Sequence, residues 1–227
     1  MSAVARESYQ ADLGALQTAV LELGDDVLAQ VDDGLEALER GDADLAREVI
    51  EGDDAVNDRY LDLEADCIDL FALQQPVASD LRFVASSFKI LTDLERVGDL
   101  ATNFGQYALA DAREPRADID VVHIGRDART MVAEALAAYE TEDRDRCFEI
   151  AARDDEVDAL CQQASERVVR DLLEREAEVD SWALERVMDD VSRLLLSLRD
   201  VERVGDHAVN IAARTLYLID QDSSLLY

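Results

Sequence analysis

Residues 93–104 read DLERVGDLATNF and residues 200–211 read DVERVGDHAVNI. Aligned without a gap, they agree at Asp93/Asp200, Glu95/Glu202, Arg96/Arg203, Val97/Val204, Gly98/Gly205, Asp99/Asp206, Ala101/Ala208 and Asn103/Asn210. Chance does not produce that agreement within 227 residues, so the chain carries an internal duplication. Both copies have helical spacing. Leu94, Gly98, Ala101 and Gly105 fall on one face, as do Val201, Gly205, Ala208 and Ala212. Beside each face runs a stripe of oxygen-bearing residues four apart: Glu95, Asp99 and Asn103, then Glu202, Asp206 and Asn210. A mid-helix glycine costs about 1 kcal/mol relative to alanine. Its presence in both copies implies that another backbone, or an ion, comes close there.

Outward from these two stretches the pattern stays helical. Leu13, Leu16, Val20, Leu23, Val27, Val31, Leu35 and Leu38 step by three or four, which predicts a first helix over 7–40, ended by Gly41. Asp42 or Asp44 is placed to cap a second helix, whose core side is read as Leu45, Val49, Gly52, Val56, Leu63, Cys67 and Leu70. Gln74-Gln75-Pro76 breaks it, and a third helix with the first signature runs to Leu109. Residues 111–120, with Pro115, make the best linker. Helices are then predicted over 120–139, over 142–175 with Thr141 as cap, and over 181–219 with Asp180 or Ser181 as cap. The fold class is all-α: two tandem antiparallel three-helix bundles, one in 1–112 and one in 113–227.

The formal net charge is -31. That excludes a nucleic-acid binder working by phosphate neutralisation and argues against docking on anionic lipid. Lys89 is the sole lysine. An acidic surface of this kind repels itself in dilute buffer and is screened at about 1 M salt, so a salt-rich cytoplasm is expected, with stability rising with salt. Cys67, Cys147 and Cys161 have no CxxC spacing and read as core residues of a reducing compartment. No apolar run approaches a membrane span, so the expectation is a cytoplasmic protein without membrane insertion.

Asp53 and Asn57 lie four apart on the second helix, and Asp154 and Asp158 four apart on the fifth, in the similar contexts GDDAVND and RDDEVDA. In an antiparallel hairpin, residues equidistant from the turn lie side by side. Asp53/Asn57 and Glu95/Asp99 are centred on Pro76; Asp154/Asp158 and Glu202/Asp206 are centred on Asp180. Each hairpin therefore brings two oxygen-bearing stripes to one level. Packed carboxylates repel, and a cation relieves that. Two candidate sites follow, one of Asp53, Asn57, Glu95 and Asp99, the other of Asp154, Asp158, Glu202 and Asp206. An all-oxygen set suits iron, Mn, Mg or Ca rather than zinc. Isolated acids such as Asp25, Asp26, Asp32 and Asp33 read as a solvated face, and Arg96 and Arg203 as salt-bridge partners before anion ligands. There is no Ser/His/Asp set, phosphate loop or HExxH motif, so an enzyme is not expected.

The two ERVGD copies, the GDDAVN and RDDEVD segments and QQPVASDLR at 74–82 resemble the PhoU family of phosphate-uptake regulators, over nearly the whole chain. The resemblance implies a six-helix protein of two similar halves. It implies metal held by E/DxxxD pairs, which match Glu95/Asp99, Glu202/Asp206 and Asp154/Asp158, while Asn57 departs from that pattern. It also implies negative regulation of phosphate uptake and starvation signalling. The partners would be the ATPase of the phosphate ABC transporter and a sensor histidine kinase, and a homodimer is expected. The alternatives are a di-metal helical-bundle enzyme, which the lack of an ExxH motif disfavours, and a metal-free helical adaptor.

Overall fold

The computed structural model describes residues 3–73, 77–110, 120–176 and 181–226. Six helices fill them: α1 Ala3–Arg40, α2 Ala43–Leu73, α3 Ala78–Ala110, α4 Val121–Thr141, α5 Arg144–Glu176 and α6 Ser181–Asp220. Strands are absent among the described residues. The expected turn at Gln74-Gln75-Pro76, the linker with Pro115 and the boundary at 112/113, and the Asp180 cap lie outside them.

In each half the three helices pack on one another, α1 with α2 and α3, then α4 with α5 and α6. The halves meet through α1 against α4 and α3 against α6, while α2 and α5 stay on the flanks. Both contacts are antiparallel. Arg126 bonds Glu39 near the end of α1, while Gln17 nearer its start reaches the Tyr139 carbonyl. The two hairpin tips consequently point to opposite ends of the molecule, and an internal two-fold relates the halves. One continuous apolar core runs through both, from Tyr9, Leu23 and Leu35 to Met131, Ile150 and Leu198. The predicted packing faces Leu94–Gly98–Ala101–Gly105 and Val201–Gly205–Ala208–Ala212 are all buried in it. So are Cys67, Cys147 and Cys161, whose thiols burial pushes up to about 12, 11 and 12.

The first turns of the two halves match closely. Gly41 at φ +63 and Glu142 at φ 52 both take the left-handed conformation that ends a helix. Asp42 then caps α2 through the Leu45 amide, and Asp143 caps α5 through the Arg146 amide. The expected cap at Thr141 is corrected by this: Thr141 is inside α4, bonding back to Ala137. The signature repeats at an offset of 107 and the acid pairs at 101. The six additional residues do not lengthen a turn, because the gaps after α2 and after α5 are equally long; they extend the tip of the α5–α6 hairpin as helix.

Candidate functional site

Each signature glycine faces an aspartate of the neighbouring helix. A Cβ on Gly98 would stand 3.8 Å from Asp53 Oδ1 and 3.2 Å from Gln30 Oε1. A Cβ on Gly205 would stand 2.7 Å from Asp154 Oδ1 and 3.9 Å from Met131 Cε. At Gly205 the Asp154 carboxylate oxygen stands in the place of the missing side chain, whereas at Gly98 the Gln30 amide oxygen stands nearest and Asp53 is in ordinary contact. The pairings Gly98–Asp53 and Gly205–Asp154 also fix a hairpin register centred on the predicted turns, so all eight candidate residues fall at two matched levels.

At the first level, Asp53 is already satisfied. Asn57 Nδ2 donates to its Oδ2 at 2.9 Å, and Gln30 Nε2 donates to its Oδ1 at 3.3 Å and to the Val49 carbonyl at 3.3 Å. Glu95 is half-buried and Asp99 exposed. Burial, and then Asp99, raises the Glu95 pKa against the pull of Arg96; burial, and then Asp53, raises that of Asp99.

At the second level nothing plays the part of the two amides. Met131 stands where Gln30 stood, and Asp158 replaces Asn57. Asp154 Oδ1 is buried with no hydrogen-bond partner. Burial, then Asp158 and Asp206, pushes its carboxyl up to about 7. Asp158 and Glu202 are raised too, first by burial and then by the acids opposite them. Among the described residues, no three His, Cys, Asp or Glu side chains converge closely enough to hold a metal ion as they stand. The donor chemistry nonetheless separates the halves. An orphaned carboxylate oxygen among exposed acids fits a hard cation, whereas a carboxylate already accepting from two amides fits one poorly.

The third residue of each stripe does something else. Asn103 donates to Asp200 Oδ2 at 3.1 Å, and Asn210 donates to Asp93 Oδ1 at 3.3 Å. Successive i,i+4 steps drift about 40° each around a helix, so the stripe leaves its own hairpin and reaches the other half. Tyr107 adds a 2.7 Å bond to Asp200, and His207 Nδ1 lies 2.9 Å from Asp93 Oδ1. Asp93 and Asp200 are therefore buried at the α3–α6 seam by a reciprocal latch. Their identity in both copies was the available signal; Gln30 offered none. Arg203 bonds Asp200 at 3.3 Å, as expected of a salt-bridge partner. Arg96 instead lines a cavity of about 380 Å³ with Arg203, Asp154, Asp206, His207, Val209 and Asn210. This cavity joins the second acid cluster to the seam.

The PhoU domain model matches residues 20–108 and again 121–215. The chain belongs to the PhoU family. It is 35% identical over 216 residues to the phosphate-specific transport system accessory protein PhoU homolog of Pseudomonas aeruginosa, spanning 94% of this chain and 86% of that protein. The PhoU accessory protein of Escherichia coli is 32% identical over 213 residues, 93% of this chain and 85% of that one. Among solved structures, PhoU from P. aeruginosa superposes with TM-score 0.86 at 34% identity, covering 94% of this chain and 100% of that one. The phosphate transport system regulatory protein PhoU from Streptococcus pneumoniae gives 0.83 at 27%, covering 94% and 98%. No helix among the described residues of this PhoU-family chain is long and apolar enough to cross a membrane.

Proposed function

We propose that this chain is a non-enzymatic regulator of a phosphate transport system that restrains uptake when phosphate is plentiful. What supports the reading is similarity over most of the chain, in both halves, to proteins named as accessory or regulatory components of phosphate transport. The ATPase of a phosphate ABC transporter is the proposed partner, with a sensor histidine kinase as the second, both met in the cytoplasm. The six long helices offer rigid, acidic, solvent-facing flanks on α2 and α5, which suits a protein that works by contact.

Metal enters the proposal through the second half. Asp154, Asp158, Glu202 and Asp206 would hold a hard cation such as iron, Mn, Mg or Ca, which when bound supplies positive charge to a crowded set of carboxylates. The chain's own contribution is to orient them: Gly205 lets Asp154 approach α6, and Arg203 and His207 border the same cavity. In the first half, Gln30 and Asn57 do with amide protons what a cation does elsewhere, and Asp53, Glu95 and Asp99 would bind metal more weakly.

The experiment is deletion of the coding sequence in its host, with radiolabelled phosphate uptake measured in phosphate-rich medium. Uptake should stay high where the parent shuts it off, and the wild-type copy should restore the shut-off. Uptake that falls normally in the deletion strain would remove the regulatory reading. Metal content of protein purified without chelator then separates the metal-binding regulator from a metal-free adaptor.

A further inference from the structure

The duplicated halves differ in charge at position 52 and its counterpart 153. At the offset of 101 shared by α1/α4 and α2/α5, Gly52 corresponds to Arg153, Asp33 to Glu134 and Asp26 to Asp127. In the second half Arg153 lies across the seam between α4 and α5. It donates to Glu134 at 3.2 Å from one guanidinium nitrogen and approaches Asp127 at 3.5 Å from another. In the first half the same acids flank an open groove of about 400 Å³ between α1 and α2, with Ala29, Val49 and Val56 as its floor. Gly52 was expected in the core; it sits instead at the exposed rim, with nothing within 4 Å of where its Cβ would be. Asp33 makes no hydrogen bond or ion pair among the described residues, although burial and the neighbouring Glu36 and Asp32 raise its pKa. Glu48 lines the same groove. Gln30, only 8% exposed, lines it too, but its amide is turned inward, with Nε2 donating to Asp53 and Val49 and Oε1 facing Gly98. Arg59 reaches Asp26 and Glu22 from one end and leaves Asp33 unpaired.

We propose that the groove between α1 and α2 is a socket for an arginine side chain of a partner protein, which takes the place that Arg153 fills from within the second half. The apolar floor suits the methylene stem, and acids on opposite walls suit the two-sided donor fork of a guanidinium, which a lysine cannot reproduce. The partner would present a basic finger to the flank of this acidic protein. The inference leans on the regulatory reading only for the existence of a protein partner, and its test does not involve phosphate uptake.

The test titrates isotope-labelled full-length protein with the peptide acetyl-Ala-Arg-Ala-amide, following backbone amide shifts at roughly 0.5 M KCl, where diffuse attraction to the acidic surface is largely screened. Saturable shifts should centre on Asp26, Ala29, Asp33, Glu48 and Ala55. Binding should weaken about tenfold when citrulline replaces arginine, and about tenfold in Gly52→Arg, while Gly52→Ala retains it. Circular dichroism of both variants checks that the helices are intact. Shifts spread evenly over the surface, no binding at tens of millimolar peptide, or equal binding to Gly52→Arg would overturn the socket. Spermidine displacing the peptide at equal or lower concentration would assign the groove to a small polycation and overturn the partner reading.

Discussion

The two halves share a backbone plan and solve the same electrostatic problem in opposite places. In the first, the half-buried carboxylate of Asp53 accepts from Gln30 and Asn57, and the groove beside it is left open above Gly52. In the second, the groove is closed by Arg153, and the carboxylate of Asp154 is left without a donor. Duplication therefore preserved the positions at which the helices approach and redistributed the charges. Gly98 and Gly205 mark that approach in both copies, and it is closer at Gly205. The residues around them decide whether a half is satisfied from within or needs something from outside.

The contrast breaks most sharply at metal affinity. Asp206→Ala should weaken binding of a hard cation on the order of a hundredfold, the scale of removing a charged ligand and its support. Asp99→Ala should change total binding far less, because the first half holds its own aspartate with amides. Isothermal titration of the two variants with Mn or Mg measures the difference. Equal losses in both would mean that the amides of Gln30 and Asn57 do not substitute for a cation.

A gain-of-charge variant sharpens the same point. Asn57→Asp removes one of the donors to Asp53 and makes the first set all acidic. Metal affinity of that half should rise about tenfold. The metal-free protein should lose about 1 kcal/mol to carboxylate repulsion, a melting temperature lower by roughly 2–4 °C for a chain of this size. An unchanged melting temperature with no additional metal bound would show that position 57 is simply solvent-facing.

The helices, the duplication and the level of the acid pairs were legible in the sequence because each rests on local periodicity and on arithmetic about a turn. Gly98 and Gly205 even announced that something approaches closely. What approached was not legible. Gln30 is one amide on a helix otherwise read for its leucines and valines, and its role depends on where α1 lies relative to α2 and α3. Asn103 and Asn210 were grouped with the acids by spacing, yet helical drift carries them to the partner half. Asp26 and Asp32, read as a solvated face, turn out to hold Arg59 and Arg129. Which helix faces which is a tertiary fact, and charges on a surface this acidic carry little information until that is known.

The smallest effect is also the most discriminating, because one substitution should have opposite signs in the two halves. In metal-free protein the Asp154 carboxyl is raised from 3.8 to about 7. Between those values the folded state holds a proton that the unfolded state has released. Stability from this group is thus full at about pH 4, falls as pH rises, and is lost above pH 7. Asp154→Asn removes the charge and should stabilise the protein at pH 8 by about 1 kcal/mol, after allowance for solvent in the adjoining cavity, with the gain vanishing towards pH 4. Asp53→Asn should do the reverse. It sets an amide against the amides of Gln30 and Asn57, costs hydrogen bonds, and should destabilise by about 1 kcal/mol at pH 8. Saturating metal should reverse the first result and leave the second nearly unchanged, since only wild-type Asp154 gains from the ion. Urea titrations of the two variants at pH 5 and pH 8, with chelator and with Mn, read all of these signs at once. If both substitutions destabilise to the same extent with chelator at pH 8, Asp154 has found a donor in solution, and the difference between the halves disappears.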